Sequence, residues 1–179
     1  MKFDAESRLY RSQQYFLFSY YARGINFIDI AKLKYKLNFF GNELAYVRSK
    51  NKRRYQYILH PKALNIVNTF LTYYLKSDDG HVFPILHSFH DTPKKIDARI
   101  DSALKDLNED LKQIRKILGV EKHLTSYVAR HSFATNLRHK NVNLSIIQEA
   151  LGHETELQTM TYLDDLDDTV VAKSIEEAL

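Results

Sequence analysis

Cysteine is absent from the 179 residues, so the chain has no disulfide and no thiolate metal site. No apolar run approaches the roughly 18 to 20 residues that a membrane span needs. The opening MKFDAESRLYRSQQ has no signal-peptide pattern, because charged and polar residues interrupt any apolar stretch. A cytoplasmic location is the expectation that follows. There is no internal repeat and no low-complexity segment. The histidines show no metal-ligand spacing: His87 and His90 are three apart but lack a neighbouring carboxylate pair, and His60, His81, His123 and His139 stand alone. Neither a metal nor a cofactor is expected. Only three prolines and five glycines punctuate the chain.

What is present is ordinary for a soluble globular protein, with 44% apolar and 27% charged residues. The net charge of +4 is unevenly spread. Residues 1–60 carry 12 Lys/Arg against 4 Asp/Glu, whereas residues 154–179 carry 1 against 8. A basic front half is what binding to a phosphate backbone requires, and an acidic tail must lie away from those phosphates.

The apolar periodicity predicts a helix over Arg8–Tyr21 with Leu9, Phe16, Leu17, Tyr20 and Tyr21 on its inner face. Gly24 breaks it, and a short helix over Phe27–Lys34 turns Phe27, Ile28 and Ala31 inward. Leu37–Phe40, Glu43–Ser49 and Arg54–Leu59 read as three short antiparallel strands with a very basic second turn. Pro61 opens a helix to about Leu75, and residues 76–93 form the one long irregular stretch. Helices follow over 94–118, from Thr125 or Ser126 to His139, over 144–151 and over 156–162. A last amphipathic helix is expected near Asp168–Leu179. The fold class is α+β, mostly helical, with a small three-stranded antiparallel sheet.

The chemistry concentrates in TSYVARHSFATNLRHKNVNLSIIQEALGHETELQTMTY, residues 125–162. Arg130-His131 opens a helix, Leu151-Gly152-His153 follows, and Tyr162 stands nine residues after His153. This pattern, with its spacing and flanking residues, resembles the second conserved region of the tyrosine recombinase (phage integrase) family. The resemblance implies a catalytic domain that cleaves and rejoins DNA through a 3′-phosphotyrosine, leaving a free 5′-hydroxyl and needing neither metal nor ATP. Tyr162 would be the nucleophile. The residue chemistry is consistent with that. A phenol with an ordinary pKa near 10 needs cations or a base to attack at neutral pH. Arg130 offers a planar fork for two phosphate oxygens, and His153 can donate to phosphate or take the tyrosine's proton.

Upstream, Gly24-Ile25-Asn26-Phe27 matches the segment that carries the family's first arginine, but position 26 is Asn. Lys50, 24 residues later in the basic turn, matches the family's lysine and would be the acid for the 5′-oxygen. Two arginines could replace the missing one: Arg48, which an extended strand would turn to the same side as Lys50, or Arg23, if the helix ran on through Gly24. Arg48 is preferred because it needs no helix through glycine. The family often has a histidine three before the arginine. Here Tyr127 stands there and would donate to phosphate rather than act as a base. His131 would anchor its helix inside the fold.

The resemblance covers nearly all of residues 1–179, as a single catalytic domain without the family's N-terminal core-binding domain. It implies double-stranded DNA and other recombinase subunits as partners, a tetramer in the synaptic complex, with the helical tail 165–179 docking on a neighbouring subunit. Two rivals stay open. One is a non-catalytic DNA-binding protein, since residues 140–152 read like a helix-turn-helix. The other is a type IB topoisomerase.

Overall fold

The computed structural model describes residues 3–73 and 80–164. Helix α1 spans Arg8–Tyr21, with Ser7 as its N-cap accepting from the Tyr10 amide. Its deepest side chains are Ser12, Tyr15, Phe18 and Ser19. The predicted inner face of Leu9, Phe16, Leu17, Tyr20 and Tyr21 is only half-buried. The reason is enclosure: three further helices, over Pro61–Tyr73, Pro93–Leu118 and Ser126–His139, pack around α1. Two small serines let them approach closely. Their hydroxyls are satisfied in place, Ser12 by Asp110 at 2.6 Å and Ser19 by the Ile25 carbonyl at 2.7 Å.

Helix α2, Phe27–Lys32, is two residues shorter than expected and buries Phe27, Asp29, Ile30 and Ala31. Ile28 is only half-buried. Residues Tyr35–Asn38 then form a single helical turn, α3, so the first strand shrinks to Phe39–Phe40, β1. The Asn38 side chain donates to the Ala45 carbonyl and accepts from the Lys34 amide, which closes this turn. Strands β2 (Glu43–Val47) and β3 (Arg54–Ile58) complete an antiparallel sheet in the order β1-β2-β3, with Leu44 opposite Tyr57.

Helix α4, Pro61–Tyr73, presents Ala63, Ile66, Val67 and Phe70 on one stripe. Beyond it, Val82, Phe83, Ile85 and Leu86 carry no helix or strand yet are buried. Phe83 packs against Phe18 and Phe70, at ring separations of 4.8 and 4.9 Å. Burying one such ring stabilises by about 1.5–3 kcal/mol.

Helix α5, Pro93–Leu118, lies along α1 and ends on Gly119 in the left-handed region. Arg8 on α1 grips the buried Asp110 of α5 at 2.6 Å. Helices α6 (Ser126–His139), α7 (Leu144–Leu151) and α8 (Glu156–Asp164) enclose a second, smaller core of Ala134, Ile147, Leu151 and Leu163. The expected terminal helix and the tail lie outside the described residues. No helix among the described residues is long and apolar enough to cross a membrane.

Candidate active site

The basic turn between β2 and β3 supplies the first two groups. Strand β2 ends at Val47, and the Arg48 carbonyl accepts from the Lys52 amide at 3.0 Å, so Arg48 and Lys50 do not lie on an extended strand. The turn instead folds Arg48 inward, 8% exposed, and leaves Lys50 exposed. Both still line one pocket. The turn is tied to α2: buried Asp29 accepts from the Ser49 amide at 2.8 Å.

Helix α6 supplies Tyr127 and Arg130 one turn apart. Arg130 is buried and runs past Gly24, whose left-handed backbone brings it so close that a Cβ there would meet Arg130 Cγ at 2.8 Å. Its Nη1 donates to the Gly24 carbonyl at 2.9 Å and its Nη2 to the Leu151 carbonyl at 2.5 Å. Arg48 Nη1 reaches the same Leu151 carbonyl at 3.1 Å, and that of Gly152 at 3.3 Å. Both guanidinium groups therefore sit on the C-terminal end of α7, the negative end of its dipole. Neither has a carboxylate partner among the described residues.

Gly152 caps α7 with φ +67°, and a Cβ there would fall 1.5 Å from the Tyr55 hydroxyl. Only glycine lets the chain turn here over β3, and that turn delivers His153. His153 is buried, with Nε2 3.5 Å from Arg130 Nη2 and Nδ1 3.0 Å from Thr159 Oγ1. Helix α8 carries Tyr162 back over the pocket. Its ring meets His153 edge-on at 5.2 Å and stacks on His131 at 5.0 Å. His131 thus touches the tyrosine as well as its own helix. The Tyr162 hydroxyl is buried and makes no hydrogen bond among the described residues.

The pocket, about 150 Å³, is lined by Arg48, Lys50, Tyr127, Arg130, His153 and Tyr162, together with Asn51, Glu154 and Gln158. Burial pushes the Tyr162 phenol well above its ordinary range, and Tyr127 adds to that, while Arg130 pulls the other way. Burial, then Arg130, Arg48 and Lys50, holds His153 down at about 4, so its imidazole is neutral at physiological pH. Burial and the neighbouring Arg48 also lower Arg130. A buried cationic wall facing a neutral phenol and a neutral imidazole is suited to an anion whose charge grows during reaction.

The sequence profile of the phage integrase family matches residues 1–168. The chain belongs to that family. Tyrosine recombinase XerD of Lacticaseibacillus casei is 26% identical over 145 residues, covering 79% of this chain and 46% of that protein. Tyrosine recombinase XerC of Rickettsia canadensis (strain McKiel) is 38% identical over 55 residues, covering 31% of this chain and 18% of that protein. The chain spans less than half the length of these curated relatives. The crystal structure of XerA recombinase superposes with a TM-score of 0.62 at 16% identity, covering 94% of this chain and 62% of that one. A lambda integrase dimer bound to a COC′ core site gives 0.61 at 16% identity, covering 92% and 56%. At these identities the likeness shows the fold.

Within this phage integrase fold the two positions in question separate cleanly. Arg23 is exposed, has φ 59°, and lays its guanidinium over the Tyr57 ring at 4.3 Å. Helix α1 ends before it, so the helical continuation that would aim it at the pocket does not exist. Asn26 is the N-cap of α2 and makes no capping bond. It lines an adjoining cleft of about 380 Å³ that shares Lys50, Tyr127 and Arg130 with the pocket. Sequence reasoning missed Thr159 and gave Asp29 no role. Both are buried polar residues, and α8 even exposes Leu157 and Met160, so no hydropathy periodicity marks them out.

Proposed function

We propose that this chain is the catalytic domain of a site-specific DNA recombinase or integrase of a mobile element, acting in the cytoplasm on double-stranded DNA with other recombinase subunits. The observation that carries the reading is the placing of the buried Tyr162 hydroxyl, without a hydrogen-bond partner among the described residues, in one pocket with two buried guanidinium groups that have no carboxylate among those residues. Tyr162 attacks a phosphodiester and becomes a 3′-phosphotyrosine. Arg130 and Arg48 bind the non-bridging oxygens, Tyr127 donates to one of them, and Lys50 protonates the departing 5′-oxygen. Arg48 takes the part of the arginine that Asn26 replaces, since it lines the pocket and Arg23 does not. The 5′-hydroxyl of a second strand then reverses the step, so bond energy is conserved without ATP. The tail 165–179, outside the described residues, docks on a neighbouring subunit in a tetrameric synapse.

The test is covalent capture on a library of nicked duplexes with randomised flanks. An adduct that survives denaturant and disappears in Tyr162→Phe is the expected result. DNA binding with no adduct at any flank sequence would overturn the reading in favour of a non-catalytic DNA-binding protein.

A further inference from the structure

Thr159 is fully buried on α8 and has no place in the chemistry described so far. Its Oγ1 donates to the Thr155 carbonyl at 3.3 Å and lies 3.0 Å from His153 Nδ1. A hydroxyl has one proton and two lone pairs, and a carbonyl can only accept. With its proton turned to Thr155, the hydroxyl offers Nδ1 a lone pair, which favours the imidazole proton on Nδ1. The other ring nitrogen requires the same assignment. His153 Nε2 faces Arg130 Nη2 at 3.5 Å, and a guanidinium has only N–H groups to offer. A proton on Nε2 would set donor against donor.

We propose that Thr159 is a positioning residue that holds His153 as the Nδ1–H tautomer, so that the bare Nε2 receives the Tyr162 proton during cleavage. The proposal rests on the recombinase reading and deepens it. The family's pattern places a histidine where this chain has Tyr127, and a phenol is a weak base at neutral pH. His153 is the imidazole whose ring edge meets Tyr162, at 5.2 Å. In the step, the Tyr162 O–H bond breaks and its proton passes to Nε2. The phenolic oxygen forms the bond to phosphorus. The bond from phosphorus to the 5′-oxygen breaks with its electron pair, and that oxygen takes a proton from Lys50. Rejoining runs the same transfers backwards. The neutral state of His153 leaves Nε2 unprotonated with only the Arg130 N–H facing it, and the negative charge of a bound phosphate raises its proton affinity.

Nitrogen-15 spectra of the imidazole rings in the 179-residue chain at neutral pH test the tautomer directly. The parent and Thr159→Ser should show His153 protonated at Nδ1. Thr159→Val, of the same shape but without the lone pair, should lose that preference. A parent protonated at Nε2, or a valine variant indistinguishable from it, overturns the proposal. Adduct formation on the randomised nicked library is the second measurement. The valine variant should slow on the order of 10-fold or more while serine restores the rate, as expected for a group that orients a base. Equal losses in both variants would mean that Thr159 only packs, and would overturn the positioning role. A parent with the Nδ1–H signature and no adduct counts against the recombinase reading instead, so the two failures are distinguishable.

Discussion

Replacing Arg48 by alanine separates the chemistry of the pocket from its architecture. The guanidinium is 8% exposed and donates to the carbonyls of Leu151 and Gly152, at 3.1 and 3.3 Å. Hydrogen bonds from charged groups contribute about 1.5–3 kcal/mol each. The Leu151 carbonyl keeps its bond from Arg130, so stability should fall by only about 2 kcal/mol. The effect on cleavage should be larger, because one of two cations facing the growing phosphorane charge is gone. Removal of one such donor costs about 10²–10³ in rate. Single-turnover cleavage of a nicked substrate recovered from the library, at denaturant concentrations where the variant is folded, measures it. His153 supplies an internal check. Arg48 is one of the charges that hold its pKa at about 4, after burial and Arg130, so the ring should titrate at higher pH in Arg48→Ala. Adding Asn26→Arg should restore at least about one order of magnitude of rate, since position 26 opens on the cleft shared with Arg130 and Lys50. Cleavage within about two-fold of the parent by folded Arg48→Ala, against the 10² expected, would refute the assignment.

Gly152→Ala should destabilise by about 2–4 kcal/mol, combining left-handed strain with overpacking against Tyr55, and chemical denaturation measures it. Because His153 is depressed to about 4 in the folded chain, the unfolded chain binds its proton first as pH falls. That contribution to stability is complete above the ordinary histidine range and is lost between roughly pH 6.5 and 4. The denaturation midpoint of His153→Asn should accordingly fall less steeply across that window than the parent's, and parallel curves would contradict it. Asp110→Ala should cost about 1–3 kcal/mol, since it leaves the Ser12 hydroxyl buried without its acceptor and frees Arg8. Adduct formation by that variant should be unchanged once it is folded, because Asp110 is not among the residues that line the pocket.

Helix positions were legible in the sequence wherever an apolar stripe or a glycine stop marked them, as in α4, in α5 with Gly119 and in α7 with Gly152. The inward face of α1 was not legible. Ser12 and Ser19 are buried for what their hydroxyls bond to, and hydropathy carries no record of distant Asp110. The first strand was overread for a related reason: Asn38 closes a helical turn through its side chain, which strand propensity ignores. At the site, Arg130, His153 and Tyr162 stood out by mutual spacing, and Lys50 by its distance from Asn26. Choosing between Arg48 and Arg23 from sequence depended on local backbone guesses. The guess for Arg48 was wrong in its geometry, since a turn and not a strand brings it to the pocket. What the sequence could not carry is the convergence of the β2–β3 turn, α6 and α7 on one carbonyl, that of Leu151.

That convergence explains how two like charges are tolerated together. Carbonyl dipoles at the end of α7 solvate Arg48 and Arg130 without neutralising them, whereas a carboxylate would pair with them and compete with phosphate. Burial, reinforced by the same uncompensated charge, keeps His153 unprotonated. Burial meanwhile keeps Tyr162 protonated. The pocket therefore concentrates positive charge on the two arginines and leaves neutral His153 and Tyr162, the two groups between which the proposed step passes a proton. On the proposed reading, a phosphodiester entering it would meet the arginines and shift His153 towards proton uptake at the moment Tyr162 has an electrophile to attack. Reactivity is thus conditional on substrate. A free phenolate at Tyr162 in the absence of DNA, seen as a phenol titrating near or below its ordinary pKa of about 10, would be incompatible with this arrangement.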